Sequence, residues 1–225
     1  NRAGRFNQWN SSKLSISLNL KRPDAVVLAK RFAAWGDVVV DNFAAGVMEK
    51  MGLGYEDMKK AKPDIIMLSS SLLGHTGPLS NSRGFGTILS ALSGFNQITG
   101  WPDRDPTDLG VYTDFIGHHF HAFIILAALI NKRRTGMGQY IDISQFQCAL
   151  QFMAPLLLDY NTNGRIAERL GNRCSHAAPH AAYPCLGNDR WCAIAVFTDA
   201  EWQNLCKVMG NPAWAQAERF STLAN

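Results

Sequence analysis

Asp37-Val-Val-Val-Asp41 is the stretch on which the fold turns. Three β-branched residues in a row, stopped by Gly36 on one side and Asn42-Phe43 on the other, predict a short strand buried on both faces of a parallel sheet. Immediately before it, Pro23 and Asp24 open a pattern that runs to about Trp35. In that pattern Val27, Leu28, Arg31 and Phe32 fall near helical spacing. Before that helix, Lys13-Leu-Ser-Ile-Ser-Leu-Asn-Leu20 alternates polar and apolar residues with period two and predicts another strand. After Asp41 a helix is expected over Gly46 to Lys60, and Pro63-Asp64 leads into a third apolar strand, Ile65-Ile-Met-Leu68. Strand, helix, strand, helix, strand is the βαβ pattern, so the fold class is α/β with a doubly wound parallel sheet. Ligands of such sheets lie beyond the carboxyl ends of the strands, which marks Asp41-Asn42-Phe43 and Ser69-Ser70-Ser71 as the ligand edge.

Further along, a Gly-, Ser- and Pro-rich loop (Gly74 to Gly84) precedes a short helix over about Thr87 to Phe95 and a Pro-containing loop from Trp101 to Asp108. Asp114 to Arg134 reads as one long helix, apolar nearly all round and therefore expected to be buried, with Gly136 at its end. A strand over Gln139 to Ile143 and an apolar helix from Ser144 to about Tyr160 follow. From Gly171 the texture changes, with Pro179 and Pro184 breaking the chain. Trp191 to Val196 then reads as a strand, and Thr198-Asp-Ala-Glu201 is a capping box for a helix reaching Met209.

The 225 residues, 47% apolar and 18% charged, can bury a sizeable globular core. Residue 1 is Asn and no leader pattern precedes the first structured segment, so the start is expected to be either processed or, as the favoured reading, truncated. The strongest apolar run, Phe120 to Ile130, is interrupted by His121 and too short for a bilayer, so no membrane partner is expected. The net charge of +4 is scattered. Its densest cluster, Lys132-Arg133-Arg134, closes a helix where cations suit the dipole. No basic stripe interleaved with aromatics speaks for nucleic acid; an anionic small molecule suits this charge. Cys148, Cys174, Cys185, Cys192 and Cys206 form no C-x-x-C pair, which fits a reducing, cytoplasmic setting and reads each as a small buried hydrophobe.

Among chemistry-bearing residues, Asp114 heads the long helix in Tyr112-Thr-Asp-Phe-Ile-Gly117. From sequence alone it reads first as an N-cap and, by the same physics, also as a carboxylate that the helix terminus keeps ionised and oriented for nucleophilic work. Spacing does not separate the two. Asn42-Phe43-Ala-Ala-Gly46, between a strand and a helix, suits an anion cradle, and Lys50 lies one turn on. His118 and His121 are three apart while His119 faces elsewhere, a poor pattern for a metal. His176 and His180 flank Pro179 in an expected loop. There is no G-x-S-x-G, Walker or G-x-G-x-x-G signature.

Several segments occur in a telling order: Lys13 to Leu20, Asp37 to Phe43 with Gly46, Lys50-Met-Gly-Leu-Gly-Tyr55, and Gly74-His-Thr-Gly-Pro78. They continue with Ser93-Gly94, Thr99-Gly100, the Asp114 segment, Arg134-Thr-Gly-Met-Gly-Gln139, Asp142-Ile-Ser144 and Gly171-Asn-Arg173. In this order the chain resembles the class III CoA-transferases, the formyl-CoA, carnitine and bile-acid CoA-transferase group. The resemblance implies a Rossmann-like large domain over 1–145 lacking its first βα unit, a linker helix over 146–172, and the start of a smaller α+β domain over 173–225. It further implies an interlocked homodimer or a related heteromer, a coenzyme A thioester and an organic acid as substrates, and neither a prosthetic group nor a metal. It assigns Asp114 as the catalytic nucleophile and Leu18, Asn42, Phe43, Lys50 and Arg83 as CoA contacts.

The chain departs from the family pattern at Lys50, where a family arginine loses its bidentate fork. It also departs at Ala44-Ala45, at Gly86 in place of an acidic residue, and at Ser90 in place of glutamine. The α-methylacyl-CoA racemases share the fold and pair the aspartate with a histidine, at a position where this chain has Phe85, which moves no proton. Transfer is thus the favoured reading; racemisation and a non-catalytic CoA-binding subunit are the alternatives.

Overall fold

The computed structural model describes residues 4–222. The chain forms two compact units that are not consecutive blocks. The first runs to Leu89 and resumes over Val111–Gln151; the second joins Ser90–Gly110 to the chain from Phe152 onward.

In the first unit, α1 (Gly4–Trp9) is followed by α2 (Pro23–Trp35), whose Pro stands at the helix start where its missing N–H costs nothing. β1 (Val38–Asp41), α3 (Val47–Lys50), α4 (Tyr55–Ala61) and β2 (Ile66–Ser71) come next. α5 (Gly86–Leu92) leaves the unit, and α6 (Phe95–Ile98) belongs to the second. The first unit resumes with α7 (Tyr112–Thr135), β3 (Gln139–Ser144) and the start of α8 (Gln145–Asn163).

The three strands form one parallel sheet in the order β1-β2-β3, with Val40 opposite Leu68 and Leu68 opposite Ile141. β2 is central and covered on both faces. Met67 packs with Ala33, Met48, Leu53 and Met58 from α2 to α4, while Leu68 packs with Ile143, Cys148 and the α7 residues Phe120 and Ile124. Period-two alternation makes one strand serve two cores, so Ile66, Met67 and Leu68 are all fully buried. The expected α/β class with a parallel sheet is therefore present.

Several expectations need correction. Lys13–Leu20 is not a strand: residues 13–19 join no ladder among the described residues, and Leu14 and Ile16 are exposed. Alternation supplies a face but not a hydrogen-bonding neighbour, and a strand needs both. The single helix over Gly46 to Lys60 is two short ones. Leu53 N–H bonds to the Met48 carbonyl, and Gly52 takes a positive φ of 69°, so that Leu53 turns into the core. Likewise the helix over Thr87 to Phe95 breaks at Gly94, at φ 90°.

α7 is not buried all round. Phe123, Leu126 and Ile130 are more than half exposed. At 24 residues it is also long and apolar enough to cross a membrane by length and composition, which the interrupted run Phe120 to Ile130 concealed. Its other face packs on the sheet, and Lys132 in its last turn bridges Asp37 at 3.3 Å and Asp64 at 2.9 Å. Cys185 and Cys192 are exposed rather than buried; all five cysteines are free thiols.

The second unit is built on a hairpin of β4 (His180–Pro184) and β5 (Trp191–Ala195), antiparallel with Ala182 opposite Ala193. His180 thus opens a strand rather than lying in a loop. α9 (Asp199–Val208) carries the expected capping box, Thr198 with Glu201. Trp202, Trp214 and Phe220 pack with ring centroids 5.8–6.4 Å apart. Residues 95–110 are tied to this unit because Arg169 donates to the carbonyls of Gln97 and Trp101, and Gly171 N–H donates to Gly100.

β3 reaches the sheet through Gly138, where any Cβ would run into the Ile65 carbonyl oxygen and the Asp64 backbone. Backbone atoms there cannot step aside as a flexible side chain would. Gly138→Ala is therefore expected to lower stability by about 3 kcal/mol, read as a drop in thermal or urea midpoint relative to Gly136→Asn at the nearby helix end.

Candidate active site

The carboxyl ends of β1 and β2 place Asp41 beside Ser69. Asp41 is buried, and its carboxylate accepts the Ser69 hydroxyl at 2.6 Å and the Phe43 N–H at 3.1 Å. The second contact fixes the turn out of β1, so that Asn42 and Phe43 leave the strand in a set direction with both side chains exposed. From the β2–α5 loop, His75 holds the same turn from outside. Its N–H is shared by both Asp142 oxygens (2.9 and 3.0 Å), and its ring spans Tyr140 Oη and the Phe43 carbonyl, 3.1 Å each. A neutral imidazole that accepts from the tyrosine donates its other N–H to Phe43. Burial raises the Tyr140 pKa, partly offset by a hydrogen bond with Ser69, which keeps the phenol a donor.

His75, Tyr140 and Asp142 are absent from the expected site, although His75 and Asp142 lie in quoted segments. The signal was a histidine just after a glycine turn with an aspartate at the end of the next strand, and only the sheet register brings them together.

The other expected CoA contacts are Leu18, Lys50 and Arg83. Leu18 is half-buried on the extended segment and lines, with Ile16, Phe32, Val39 and Met48, a hollow of about 350 Å³. Lys50 ends α3 and is exposed; Arg83 is exposed in the loop that carries His75. The helix after Asn42-Gly46 has only four residues. The expected anion cradle at its N-terminus therefore loses most of its dipole, and side chains have to supply the charge.

Asp114 is not the N-cap of α7. Val111 holds that position without a side-chain bond, and Asp114 is the third helical residue. Its carboxylate rests on the backbone of Gly86: a Cβ there would lie 2.6 Å from Oδ2 and 2.7 Å from Oδ1. Thr113 secures the approach by donating to the Gly86 carbonyl at 3.2 Å. Gly86 is thus the seat of the aspartate, and no acidic side chain fits in its place while Asp114 keeps this position. The expected lowering of the Asp114 pKa is reversed. Burial raises it, and His118, one turn on, opposes that only in part.

Phe85, next to this seat, is 77% exposed and carries no proton. His118 stands edge-on to Trp9 and His121 (centroids 6.3 and 6.0 Å), and His121 Nε2 meets Ser70 Oγ at 2.9 Å. Burial, then His118, lowers the His121 pKa and favours its neutral form. No group of three His, Cys, Asp or Glu that could hold a metal occurs among the described residues.

His75→Phe removes both ring hydrogen bonds, about 1–2 kcal/mol of restraint on the turn. Amide exchange over Asn42–Gly46 is expected to quicken roughly tenfold, measured by hydrogen–deuterium exchange, with the Ile66–Leu68 amides unchanged.

CoA-transferase family III matches residues 1–225. A succinyl-CoA–D-citramalate CoA-transferase of Chloroflexus aurantiacus is 36% identical over 212 residues, 94% of this chain and 52% of that protein. An acetyl-CoA:oxalate CoA-transferase of Acetobacter aceti is 36% identical over 217 residues, 96% of this chain and 55% of that protein. The crystal structure of a CAIB/BAIF family protein from Brucella suis superposes with a TM-score of 0.84 at 32% identity, covering 96% of this chain and 58% of that one. The chain spans about half the length of the curated relatives it matches. It belongs to CoA-transferase family III.

Proposed function

We propose that the protein transfers coenzyme A from an acyl-CoA thioester to a carboxylic acid, with Asp114 as nucleophile. The observation that carries this reading is a half-buried carboxylate seated on the Gly86 backbone, in a chain of CoA-transferase family III. The named relatives act on succinyl-CoA, acetyl-CoA, citramalate and oxalate, which supports a short dicarboxylic acid on at least one side of the exchange.

In this mechanism an Asp114 oxygen attacks the thioester carbonyl carbon, the C–S bond breaks, and CoA leaves as thiolate from a mixed anhydride. The thiolate then attacks the aspartyl carbonyl, expelling the donor acid and leaving an aspartyl-CoA thioester. The acceptor carboxylate repeats the first step on that thioester, and the thiolate attacks the new acyl carbon, restoring the Asp114 carboxylate. No net proton is consumed. Burial strips water from the carboxylate and so leaves its oxygens more reactive. Asn42 and Phe43, set by Asp41 and His75, hold CoA together with Leu18, Lys50 and Arg83, the two cations meeting its phosphates. An interlocked dimer or related heteromer belongs to the same proposal, supported by the exposed apolar residues Phe123, Leu126 and Ile130 of α7.

Hydroxylamine with acyl-CoA is expected to yield an Asp114-linked hydroxamate by mass spectrometry. Asp114→Ala abolishes both adduct and transfer, at least ~10³-fold in kcat. Deuterium entering at the acyl Cα without any adduct would instead indicate a racemase. Gly86→Ala, which displaces the carboxylate, should lower kcat ~10²-fold with little change in CoA affinity. Because burial raises the Asp114 pKa, the acid limb of kcat/KM should lie above the usual carboxylate range. Since the His118 cation lowers that pKa, the limb should move further up in His118→Gln.

A further inference from the structure

Behind Asp114, one stripe of the otherwise apolar α7 is polar. Asp114, Gly117, His118 and His121 stand at i, i+3, i+4 and i+7 and share a face. Gly117 leaves a gap in that stripe: a Cβ there would lie 3.8 Å from Gln145 Cγ and 4.0 Å from His121 Nε2. Gln145, the first residue of α8, and His121 therefore close on the helix at the same point. His121 is held by Ser70 at 2.9 Å, whereas the Gln145 Oε1 atom is buried with no partner.

A buried amide end left unmatched costs about 1–3 kcal/mol. Turned end for end, the same amide presents two N–H donors. His118 is exposed; its ring meets the edges of Trp9 and His121 and acts electrostatically on Asp114. Gly86 closes one side of the Asp114 carboxylate, while His118 stands one turn further along the same face.

We propose that His118, His121 and the Gln145 amide form the subsite for the second carboxylate of a dicarboxylic acyl group while its first carboxyl is bonded to Asp114. With the Ser70 hydroxyl donating to His121 Nε2, the neutral His121 ring keeps its N–H on Nδ1; that group, an N–H of His118 and the turned Gln145 amide are donors suited to a carboxylate, and none needs to move a proton. A succinyl group spans roughly the 5.4 Å pitch of one helical turn, which is the step from Asp114 to His118. The proposal rests on the transfer reading and names its substrate class.

The test is made on the intact protein with succinyl-CoA and butyryl-CoA, donors of equal chain length that differ in the distal carboxylate, and acetate as common acceptor. The ratio of kcat/KM, succinyl over butyryl, is expected to fall at least tenfold in His118→Gln and in Gln145→Leu. Gln145→Glu keeps the side-chain shape and sets a like charge in the subsite, so it covers the case in which Gln145→Leu fails to fold. It should lower the ratio further. An unchanged ratio in these variants, with the Asp114 hydroxamate still formed, overturns the subsite and leaves transfer standing. Absence of hydroxamate from the unsubstituted protein with both donors overturns transfer itself, and the subsite with it.

Discussion

Burial of β2 on both faces is the constraint on which the first unit depends. Ile66, Met67 and Leu68 have no solvent-facing side, so each must meet a helix layer, and the layers are different ones: α2 with α4 below, α7 with α8 above. Once both layers are seated, the strand's carboxyl end emerges between them with hydroxyls facing each way. Ser69 turns to Asp41 and steadies the exit of β1; Ser70 turns to His121 on α7. Alternation along one strand thus divides the carboxyl edge of the sheet into a side for the Phe43 turn and a side for Asp114.

The two sides differ in their electrostatics. Around Phe43, every strong acceptor is matched: Asp41 and Asp142 take backbone N–H groups, and the His75 ring bridges tyrosine and carbonyl. Saturated networks of this kind hold a shape. Around Asp114 the balance is left open, with a carboxylate pushed up by burial, an imidazole kept neutral and an amide oxygen unmatched. Under the transfer proposed for Asp114, such unmatched groups would be completed by substrate rather than by the fold.

Much of this was legible from residues alone, and where reading failed the cause is physical. The Val38–Asp41 strand and the apolar Ile65–Leu68 run announced themselves by composition, but only the second is buried on both faces: the first lies at the edge of the sheet with Val40 55% exposed. Lys13–Leu20 carried as clean a pattern yet forms no ladder, because pairing depends on a neighbour that periodicity cannot see. Asp114 stood out as the candidate carboxylate, but its environment was misjudged. A carboxylate near a helix start is expected to be stabilised by the dipole, whereas here desolvation against Gly86 outweighs it. The histidines at 118 and 121 read poorly as a metal pair, and the spacing did not show that Ser70 meets His121 or that Gln145 lies against Gly117, because both come from other elements.

The interleaving of the two units has a consequence for how the protein can be taken apart. Because Ser90–Gly110 packs with the later chain while Val111–Gln151 returns to the earlier unit, the polypeptide passes from one to the other three times. A single proteolytic nick frees neither unit, and no contiguous piece of the gene encodes either one whole. Exchange of parts between relatives by simple recombination is thereby restricted: a crossover between residues 90 and 151 splits at least one core, so the halves inherit changes together or not at all.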